Sequence, residues 1–505
     1  MQIEPQAAAF SKIYARGRPQ VVWTTLVADL ETPVSAFLKI AAGRPMSFLL
    51  ESVEGGSVRG RYSIIGIEPD AIWRAHGSHS EIDRSPRTKK SSFVPCSGTP
   101  LKALRSFIAE SRVALPDVLP PMAAGVFGYL GYDMVRLMEK LPEPNVDPIG
   151  IPDAILVRPT VVVVFDTVKD TVTVVTPVRP SKSVSARTAL TRAIERLTAV
   201  IESLDRSLDK EAAQPVDGPL VVAPTSNTPP SEFHRMVRKA KEYIAAGDIF
   251  QVVLAQRFEA PFTLPPFALY RALRRVNPAP FLFFLDYGGF AVAGSSPEIL
   301  VRVRGDTVTI RPIAGTRPRG ETPQKDKAFE DALLADQKER AEHLMLLDLG
   351  RNDVGRVAEI GSVNVTDQFF IERYSQVMHI VSNVEGKLDR RYDALDALVA
   401  GFPAGTVSGA PKVRAMEVVD ELEKEKRGLY AGCVGYFSAA GDMDTCIVLR
   451  TALVKDGRMY VQAGAGIVAD SDPDFEQQEC VNKAKALFRA AEEARRFASA
   501  GKRGQ

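Results

Sequence analysis

The chain has 505 residues, of which 45% are hydrophobic and 25% charged, a composition typical of globular rather than disordered proteins. Its 64 Lys and Arg against 62 Asp and Glu leave a formal charge of +2, which argues against a nucleic-acid-binding protein. No apolar run approaches the roughly 18 residues of a membrane span, and the first residues lack a secretory-signal pattern. The four widely spaced cysteines are typical of reduced thiols, so we expect a cytoplasmic protein without membrane or nucleic-acid partners.

The N-terminal part of the sequence is rich in short strand-like runs. They end in a predicted hairpin from Ile155 to Val178, with two apolar runs around a polar turn. Residues 203–230 are polar and proline-rich without a helical or strand period, and predict a linker or surface excursion. The expected division is therefore an N-terminal domain at 20–180 and a C-terminal domain at 231–495.

The C-terminal part predicts helices separated by hairpins. Helix signals and apolar spacing predict three long helices in its second half, from Asp326 to Leu349, from Pro411 to Gly428, and from a cap at Asp474 to Phe497. Strands occur mostly as hairpins rather than singly between helices. The pattern therefore favours an α+β fold with antiparallel sheets over a doubly wound parallel sheet.

Two pairs of glutamates stand three residues apart on predicted helices. Glu339 with Glu342, and Glu476 with Glu479, each share one helix face beside the apolar stripe. Four converging carboxylates are suited to Mg²⁺, which binds one or two of them directly and retains waters. The same spacing is also common on solvated helix faces, so spacing alone leaves both interpretations open.

Two glycine clusters follow strand-like runs, in PIAGTRPRG and QAGAGIV. Backbone N–H groups without side chains nearby can approach an anion, although each cluster read alone is more typical of a tight turn. Neither matches a nucleotide-binding loop. The residues alone therefore indicate an α+β protein for a small anion, either an enzyme with a Mg²⁺ site or a non-catalytic metabolite-binding module.

Several longer segments, taken together, are more specific than these pairs and clusters. The chain resembles the chorismate-utilising enzymes over roughly residues 231–490, where PIAGTRPRG, AEHLMLLDLGRNDVGRV, ERYSQVMHIVSNVEG, FPAGTVSGAPKVRAMEVVDELE, RGLYAGCVGYFS, DTCIVLRTALV and QAGAGIVADSDPDFEQQECVNKAKAL occur in the family's order. LLESVEGG and RYSIIGIEP are similar to the first, regulatory domain of anthranilate synthase large subunits. The resemblance implies antiparallel β-sheets packed as a sandwich with surrounding helices.

The resemblance also implies a site for the dianion chorismate and for Mg²⁺. The implied Mg²⁺ ligands are Glu342 and Glu479, with Glu339 and Glu476 acting nearby, through water. The implied chorismate-binding residues are Gly315, Thr316, Tyr430, Arg450, Gly464, Ala465 and Gly466. An arginine there would bind a carboxylate through two hydrogen bonds, and the glycine backbone would add donors.

The implied chemistry is addition of ammonia to the chorismate ring, loss of the ring hydroxyl, and elimination of pyruvate to give anthranilate, the first step of tryptophan biosynthesis. Glu298 matches the family's general acid, which would protonate the departing hydroxyl, while His379 and Thr406 match the other site residues. Without the resemblance, Glu298 would be interpreted as a strand-end glutamate and His379 as a hydrogen-bonded core residue.

Two positions bear on which nucleophile attacks the ring. Aminodeoxychorismate synthases commonly carry a nucleophilic lysine where this chain has Ala314, and isochorismate synthases carry a water-activating lysine where it has Gln251. Neither residue replaces the lysine, so ammonia is expected. The alternatives are an aminodeoxychorismate synthase component I, some of which lack that lysine, and a homologue that only binds tryptophan or chorismate.

The resemblance implies a partner and an inhibitor as well. A glutamine amidotransferase subunit is expected to supply ammonia, in a heterotetramer of two large and two small subunits. Inhibition by L-tryptophan is expected where an L-L-E-S segment meets an N-P-x-P segment, at Ser52, Pro280, Phe281 and Leu282. The alternative for these residues is an ordinary packed strand pair.

Overall fold

The structure of this chain is a computed structural model. It describes residues 2–41, 43–54, 58–86, 92–208, 223–374 and 377–498. The described strands are β1 (Gln20–Val27), β2 (Ser47–Glu54), β3 (Val58–His76), β4 (His79–Asp83), β5 (Val94–Pro95), β6 (Gly125–Leu130), β7 (Ala154–Asp166), β8 (Thr171–Val178), β9 (Thr225–Ser226), β10 (Gln251–Pro261), β11 (Phe281–Asp286), β12 (Ala291–Ser296), β13 (Ile299–Arg304), β14 (Thr307–Ile310), β15 (Ile313–Pro318), β16 (Asn364–Arg373), β17 (Val377–Lys387), β18 (Gly409–Ala410), β19 (Cys433–Ser438), β20 (Met443–Ile447), β21 (Thr451–Lys455) and β22 (Arg458–Ile467). The described helices are α1 (Ala7–Ala15), α2 (Pro33–Ile40), α3 (Pro100–Glu110), α4 (Ala186–Leu204), α5 (Pro230–Ala245), α6 (Pro266–Val276), α7 (Pro323–Ala335), α8 (Gln337–Gly355), α9 (Ala394–Gly401), α10 (Gly405–Ser408), α11 (Lys412–Leu422) and α12 (Pro473–Glu493).

The strands pair in two series that leave the β3–β7 pair in different directions. One continues from β3 through β2, β11, β12, β21 and β22 to β10. The other continues from β7 through β6, β19, β20, β13 and β14 to β17. All of these pairings are antiparallel, which confirms the α+β fold with antiparallel sheets.

Apolar side chains fill the space between the two series and cover their outer faces. Phe48 of β2 stacks on Phe127 of β6 with 4.6 Å between ring centroids, so the two series face each other. On the outer face of the first series, buried apolar side chains of α4, α5, α6 and α12 form one hydrophobic cluster. On the outer face of the second series, those of α3, α8 and α9 form another. This is the expected sandwich with surrounding helices, since each sheet buries one face on the other and one on helices.

In two crossings that lie side by side, the chain passes between the two series. It passes from β12 to β13 through Pro297 and Glu298, and from β20 to β21 through residues 448–450. The Ser295 N–H donates to the Arg450 carbonyl at 3.2 Å, and the Ile447 N–H donates to the Glu298 carbonyl at 3.0 Å. The two crossings therefore bring Glu298 and Arg450 to the same end of the sandwich.

The prediction of a single helix from Asp326 to Leu349 is wrong. It is divided into α7 and α8 at Asp336, whose carboxylate caps α8 by accepting from the N–H groups of Lys338 and Glu339. A side chain that bonds two free N–H groups favours a new helix start over continuation. The expected end at Leu349 is also wrong, because α8 continues to Gly355.

The two other long helices are shorter than predicted. Helix α11 ends at Leu422, because Glu423 is extended rather than helical. Helix α12 is capped by Asp472 instead of Asp474, and a short 3-10 turn replaces its expected last residues.

The predicted linker lies partly outside the described residues, and the division into two domains stays a prediction. Residues 209–222 of the linker lie outside the described residues, while α4 ends at Leu204 and α5 begins at Pro230. Strands β2 and β6 from the predicted N-terminal domain pair with β11 and β19 from the C-terminal one. Among the described helices, none is long and apolar enough to cross a membrane.

Candidate active site

Glu298 is a buried carboxyl group at the first crossing, 6% exposed. The hydroxyl of Thr406, in α10, donates to its two oxygens at 3.1 and 3.2 Å. Burial raises the pKa of Glu298 to about 8, although the hydrogen bonds from Thr406 and from the Ile313 N–H lower it in part. Glu298 therefore carries a proton at neutral pH, as a general acid must.

Gly315, Thr316 and His379 meet where β15 pairs with β17. Gly315 is at a bulge, with φ +71°, that shifts the register so that Thr316 lies opposite His379. The expected tight turn is therefore wrong for this cluster. His379 Nδ1 lies 3.0 Å from the Gly315 carbonyl and 3.1 Å from the Thr316 hydroxyl.

His379 is a neutral imidazole at physiological pH. Burial lowers its pKa to about 4, the Gly315 carbonyl opposes this, and the cations Arg450 and Lys483 lower it further. Because Nδ1 holds its proton toward the Gly315 carbonyl, Nε2 is left as a hydrogen-bond or proton acceptor.

Gly464, Ala465 and Gly466 lie inside β22 rather than in a turn, so the turn interpretation is wrong here too. They pair with β10 on one edge, while β21 pairs with the other edge only as far as Val461. A Cβ on Gly464 would lie 2.7 Å from the Tyr430 hydroxyl oxygen, and one on Gly466 would lie 2.8 Å from Gln251 Nε2. Side chains from neighbouring elements therefore approach this backbone closely because it is glycine.

Arg450 occupies the second crossing with a positive φ of +47°, a sparsely populated conformation for a residue with a side chain. Burial lowers the pKa of its guanidinium, while Tyr430 and Glu479 raise it. A partly buried cation next to an unpaired strand edge favours an anionic ligand, as expected for a chorismate carboxylate.

The four predicted metal-site glutamates come from α8 and α12, which bring their carboxylates within electrostatic range. Burial raises the pKa of Glu342, and the charges of Glu339 and Glu479 raise it further. Burial also raises the pKa of Glu476, with a further contribution from Glu479. In the part of the chain that the structure describes, no three such groups form a preformed metal cluster.

These residues nevertheless fit Mg²⁺. Mg²⁺ prefers oxygen ligands and binds through one or two carboxylates, with waters and substrate completing its shell. Gln251 Nε2 donates to Glu342 at 3.0 Å, and its buried Oε1 has no hydrogen-bond partner. That unsatisfied oxygen indicates that a water or another donor belongs beside Glu342.

Lys483, which no sequence pattern singled out, links α12 to β22. Its ammonium donates to the Gly464 carbonyl at 2.8 Å and pairs with Glu479 at 2.5 Å. The spacing of Glu479 and Lys483, four residues apart on one helix, was the available signal, but it is also the commonest spacing of surface ion pairs.

The two segments predicted to bind tryptophan are neighbours in the first series. In the β2–β11 pair, Ser52 lies opposite Phe281, and Leu282 lies opposite Glu51. The Ser52 hydroxyl donates to the carbonyl of Tyr62 at 3.0 Å. The packed strand pair is therefore present, and tryptophan binding remains a prediction.

Comparisons with known proteins show the family of the chain. The family model for chorismate binding enzyme matches residues 47–489. "Anthranilate synthase component 1" of Cereibacter sphaeroides is 58% identical over 495 residues, covering 97% of this chain and 98% of the relative. The protein of that name from Pseudomonas putida is 48% identical, covering 92% and 93%.

Solved structures show the same relationship. Anthranilate synthase component I from Streptococcus pneumoniae is similar with a TM-score of 0.74 at 37% identity, covering 92% of this chain and 98% of that one. The menaquinone-specific isochorismate synthase MenF from Escherichia coli, at 19% identity and a TM-score of 0.70, covers 96% and 100% and shares the fold. The chain therefore belongs to the chorismate binding enzymes and, within them, to the family of anthranilate synthase component 1 proteins.

Proposed function

We propose that this chain converts chorismate and ammonia into anthranilate, pyruvate and water. The observation that carries the proposal is Glu298, a carboxyl group with a pKa of about 8 at the crossing beside Arg450. A group that is protonated at neutral pH can donate to a departing hydroxyl, which is otherwise a poor leaving group. The names of the relatives support the same reaction.

The proposed reaction has two steps. Ammonia forms a C–N bond at the ring carbon next to the one that bears the carboxylate, and the ring C–O bond breaks as Glu298 protonates the hydroxyl, releasing water. A ring proton is then removed, the enolpyruvyl C–O bond breaks, and pyruvate leaves as the ring becomes aromatic. Neutral His379, with Nε2 unprotonated, has the state required to accept a proton.

Binding of chorismate would divide its two carboxylates between two regions. The Arg450 guanidinium and the β22 edge are suited to the enolpyruvyl carboxylate, while bound Mg²⁺ would neutralise the ring carboxylate. Glu342 and Glu479 would hold the ion, with Glu339 and Glu476 bonding its waters. The nucleophile is ammonia because Ala314 has no amine and Gln251, bonded to Glu342, is a poor base.

The primary test is an assay of the purified chain with chorismate, Mg²⁺ and an ammonium salt at alkaline pH. We expect anthranilate to accumulate. A para-substituted amino product would instead support an aminodeoxychorismate synthase, and binding of chorismate without any product would support a non-catalytic homologue.

We also propose that a glutamine amidotransferase subunit supplies ammonia, in an assembly of two large and two small subunits. Ammonium ion is not nucleophilic and free ammonia is scarce at neutral pH, so local delivery would increase turnover. The name "component 1" of the relatives implies a second component. The purified chain should use ammonium but not glutamine, and glutamine-dependent turnover by the chain alone would contradict this.

Tryptophan inhibition is proposed at the β2–β11 strand pair. The small hydroxyl of Ser52 beside Phe281 and Leu282, with Pro280 preceding them, would suit an indole amino acid held by its polar ends. Ser52→Phe should fill this space and relieve inhibition while retaining turnover without tryptophan. Unchanged turnover of the wild type at saturating tryptophan, or equal sensitivity of the variant, would contradict the proposal. If tryptophan weakens the binding of chorismate, chorismate must weaken the binding of tryptophan by the same factor.

A further inference from the structure

Arg427 is a buried cation in the segment after α11, only 4% exposed. Its Nε and Nη2 donate to the two carboxylate oxygens of Glu423 at 2.9 and 2.6 Å. Its Nη1 donates to the Val407 carbonyl at 2.7 Å, and Nη2 donates also to the Val253 carbonyl at 2.6 Å. The guanidinium thus reaches three separate segments of the chain.

Two of these segments carry the site. Val407 follows Thr406 in α10, so its carbonyl belongs to the turn that presents the Thr406 hydroxyl to Glu298. Val253 lies opposite Gly466 in the β10–β22 pair. The second bond to β10 comes through Glu423, whose carboxylate accepts the Ala255 N–H at 2.8 Å.

The guanidinium also faces an aromatic ring of the site. Its carbon lies 5.5 Å from the centroid of Tyr430 and 4.8 Å from that of Tyr132. A cation over an aromatic face is attracted to it, and more strongly when both are shielded from water. The hydroxyl of Tyr430 is the group that approaches Gly464.

We propose that Arg427 is a positioning residue that fixes the Thr406 turn, the β10 strand behind Gly466 and the Tyr430 ring relative to one another. An arginine suits this task because its planar guanidinium donates in several fixed directions at once, whereas a lysine ammonium does not. A buried ion pair alone is weak evidence for stability, since desolvation opposes its attraction. The three segments that it joins point to alignment of the site.

The hydrogen bond from Thr406 to Glu298 makes this alignment measurable through the pKa of Glu298. It lowers the pKa of Glu298, so a displaced Thr406 turn would let that pKa rise above about 8. Two other ionisable groups near Glu298 have partners of their own, and Arg450 on the neighbouring crossing is unchanged in every variant used below. Tyr374 donates to Glu372, and Asp353, which lines the same cavity as Glu298, pairs with Lys412.

The test is an infrared titration of the Glu298 carboxyl band in the full chain, assigned by its loss in Glu298→Gln. We expect Arg427→Lys to raise the titration midpoint by about half to one pH unit, as loss of one hydrogen bond would. Thr406→Val should produce the same shift. The double variant that combines Arg427→Lys with Thr406→Val should shift the midpoint no further than either single variant. Arg257→Lys is the matched control, because Arg257 is also buried, paired with Glu425 and near the ring of Tyr460, and should leave the midpoint unchanged.

A folded Arg427→Lys with the wild-type midpoint would overturn the proposal. If that variant does not fold, Glu423→Gln keeps the guanidinium but weakens its anchoring, and the same upward shift is required. The titration needs no turnover, so its result is independent of the proposed reaction. Absence of anthranilate from the wild type would contradict that reaction, while leaving the titration a valid test of Arg427.

Discussion

The carboxyl groups of the candidate active site fall into two regions with opposite chemistry. Glu298 is buried with a threonine hydroxyl and a backbone N–H as partners, and burial raises its pKa to about 8. Glu342 lies among other carboxylates from α8 and α12, and burial together with Glu339 and Glu479 raises its pKa. The first region holds a proton, whereas the second accumulates negative charge that a divalent cation would relieve.

The comparison shows why one residue type can serve two roles in one site. The buried carboxyl group of Glu298 becomes neutral, because its two hydrogen-bond donors only partly replace the solvation that burial removes. Carboxylates close to one another also carry negative charge that is unfavourable, but a bound cation can neutralise that charge without protonating them. The same Glu→Gln substitution should therefore have different consequences in the two regions.

The largest effect is expected in the carboxylate region. Glu342→Gln or Glu479→Gln should abolish Mg²⁺-dependent turnover while the fold is retained, because each removes a charge that would face the cation. Turnover against Mg²⁺ concentration and a circular dichroism spectrum are the measurements. Asp348→Asn is the control, since that α8 carboxylate is 62% exposed, and near-normal turnover in either glutamate variant would identify an ordinary solvated helix face.

Substitution of Glu298 should leave metal binding intact and slow the reaction. We expect Glu298→Gln to lower kcat by roughly 10²–10⁴-fold, the usual contribution of a general acid. Mg²⁺ affinity, measured by calorimetry, should remain at the wild-type value. A loss of Mg²⁺ affinity equal to that of Glu342→Gln would show that the two regions are not chemically separate.

Protein stability should respond to pH through Glu298. Its folded-state pKa of about 8 exceeds its ordinary value of 4.5, so the native state binds more protons between these limits. The free energy of unfolding should therefore fall as pH rises from about 4.5 through about 8, by on the order of a few kcal/mol. Glu298→Gln should flatten this dependence in urea unfolding, and an identical slope in both proteins would contradict it.

The smallest expected effect concerns the partner of Glu298. Thr406→Val removes a hydrogen bond that lowers the pKa of Glu298, so the pH at which kcat falls should rise by about half to one unit. The pH profile should be measured at constant free ammonia, because ammonium itself titrates. A downward shift would mean that the threonine stabilises the protonated carboxyl instead.

Several features of this protein followed from the sequence. Strands that occur as hairpins predicted antiparallel sheets, because neighbouring strands joined by short turns must run in opposite directions. The spacing of Glu339 with Glu342 and of Glu476 with Glu479 correctly placed each pair on one face of a helix, since that geometry is local. The spacing of apolar residues could not show that the helix would break at Asp336 and that its side chain would cap a second helix.

Tertiary structure alone decided the environment of each group. Glu298 resembles any strand-end glutamate until the crossing buries it against Thr406, 108 residues away in the chain. Lys483, with its bond to Gly464, and Arg427, with its bonds to Val407 and Val253, likewise acquire their positions only through folding. The sequence by itself determined the local elements and their residue types, whereas burial and long-range hydrogen bonds, which set pKa values and orientations, exist only once distant segments pack together.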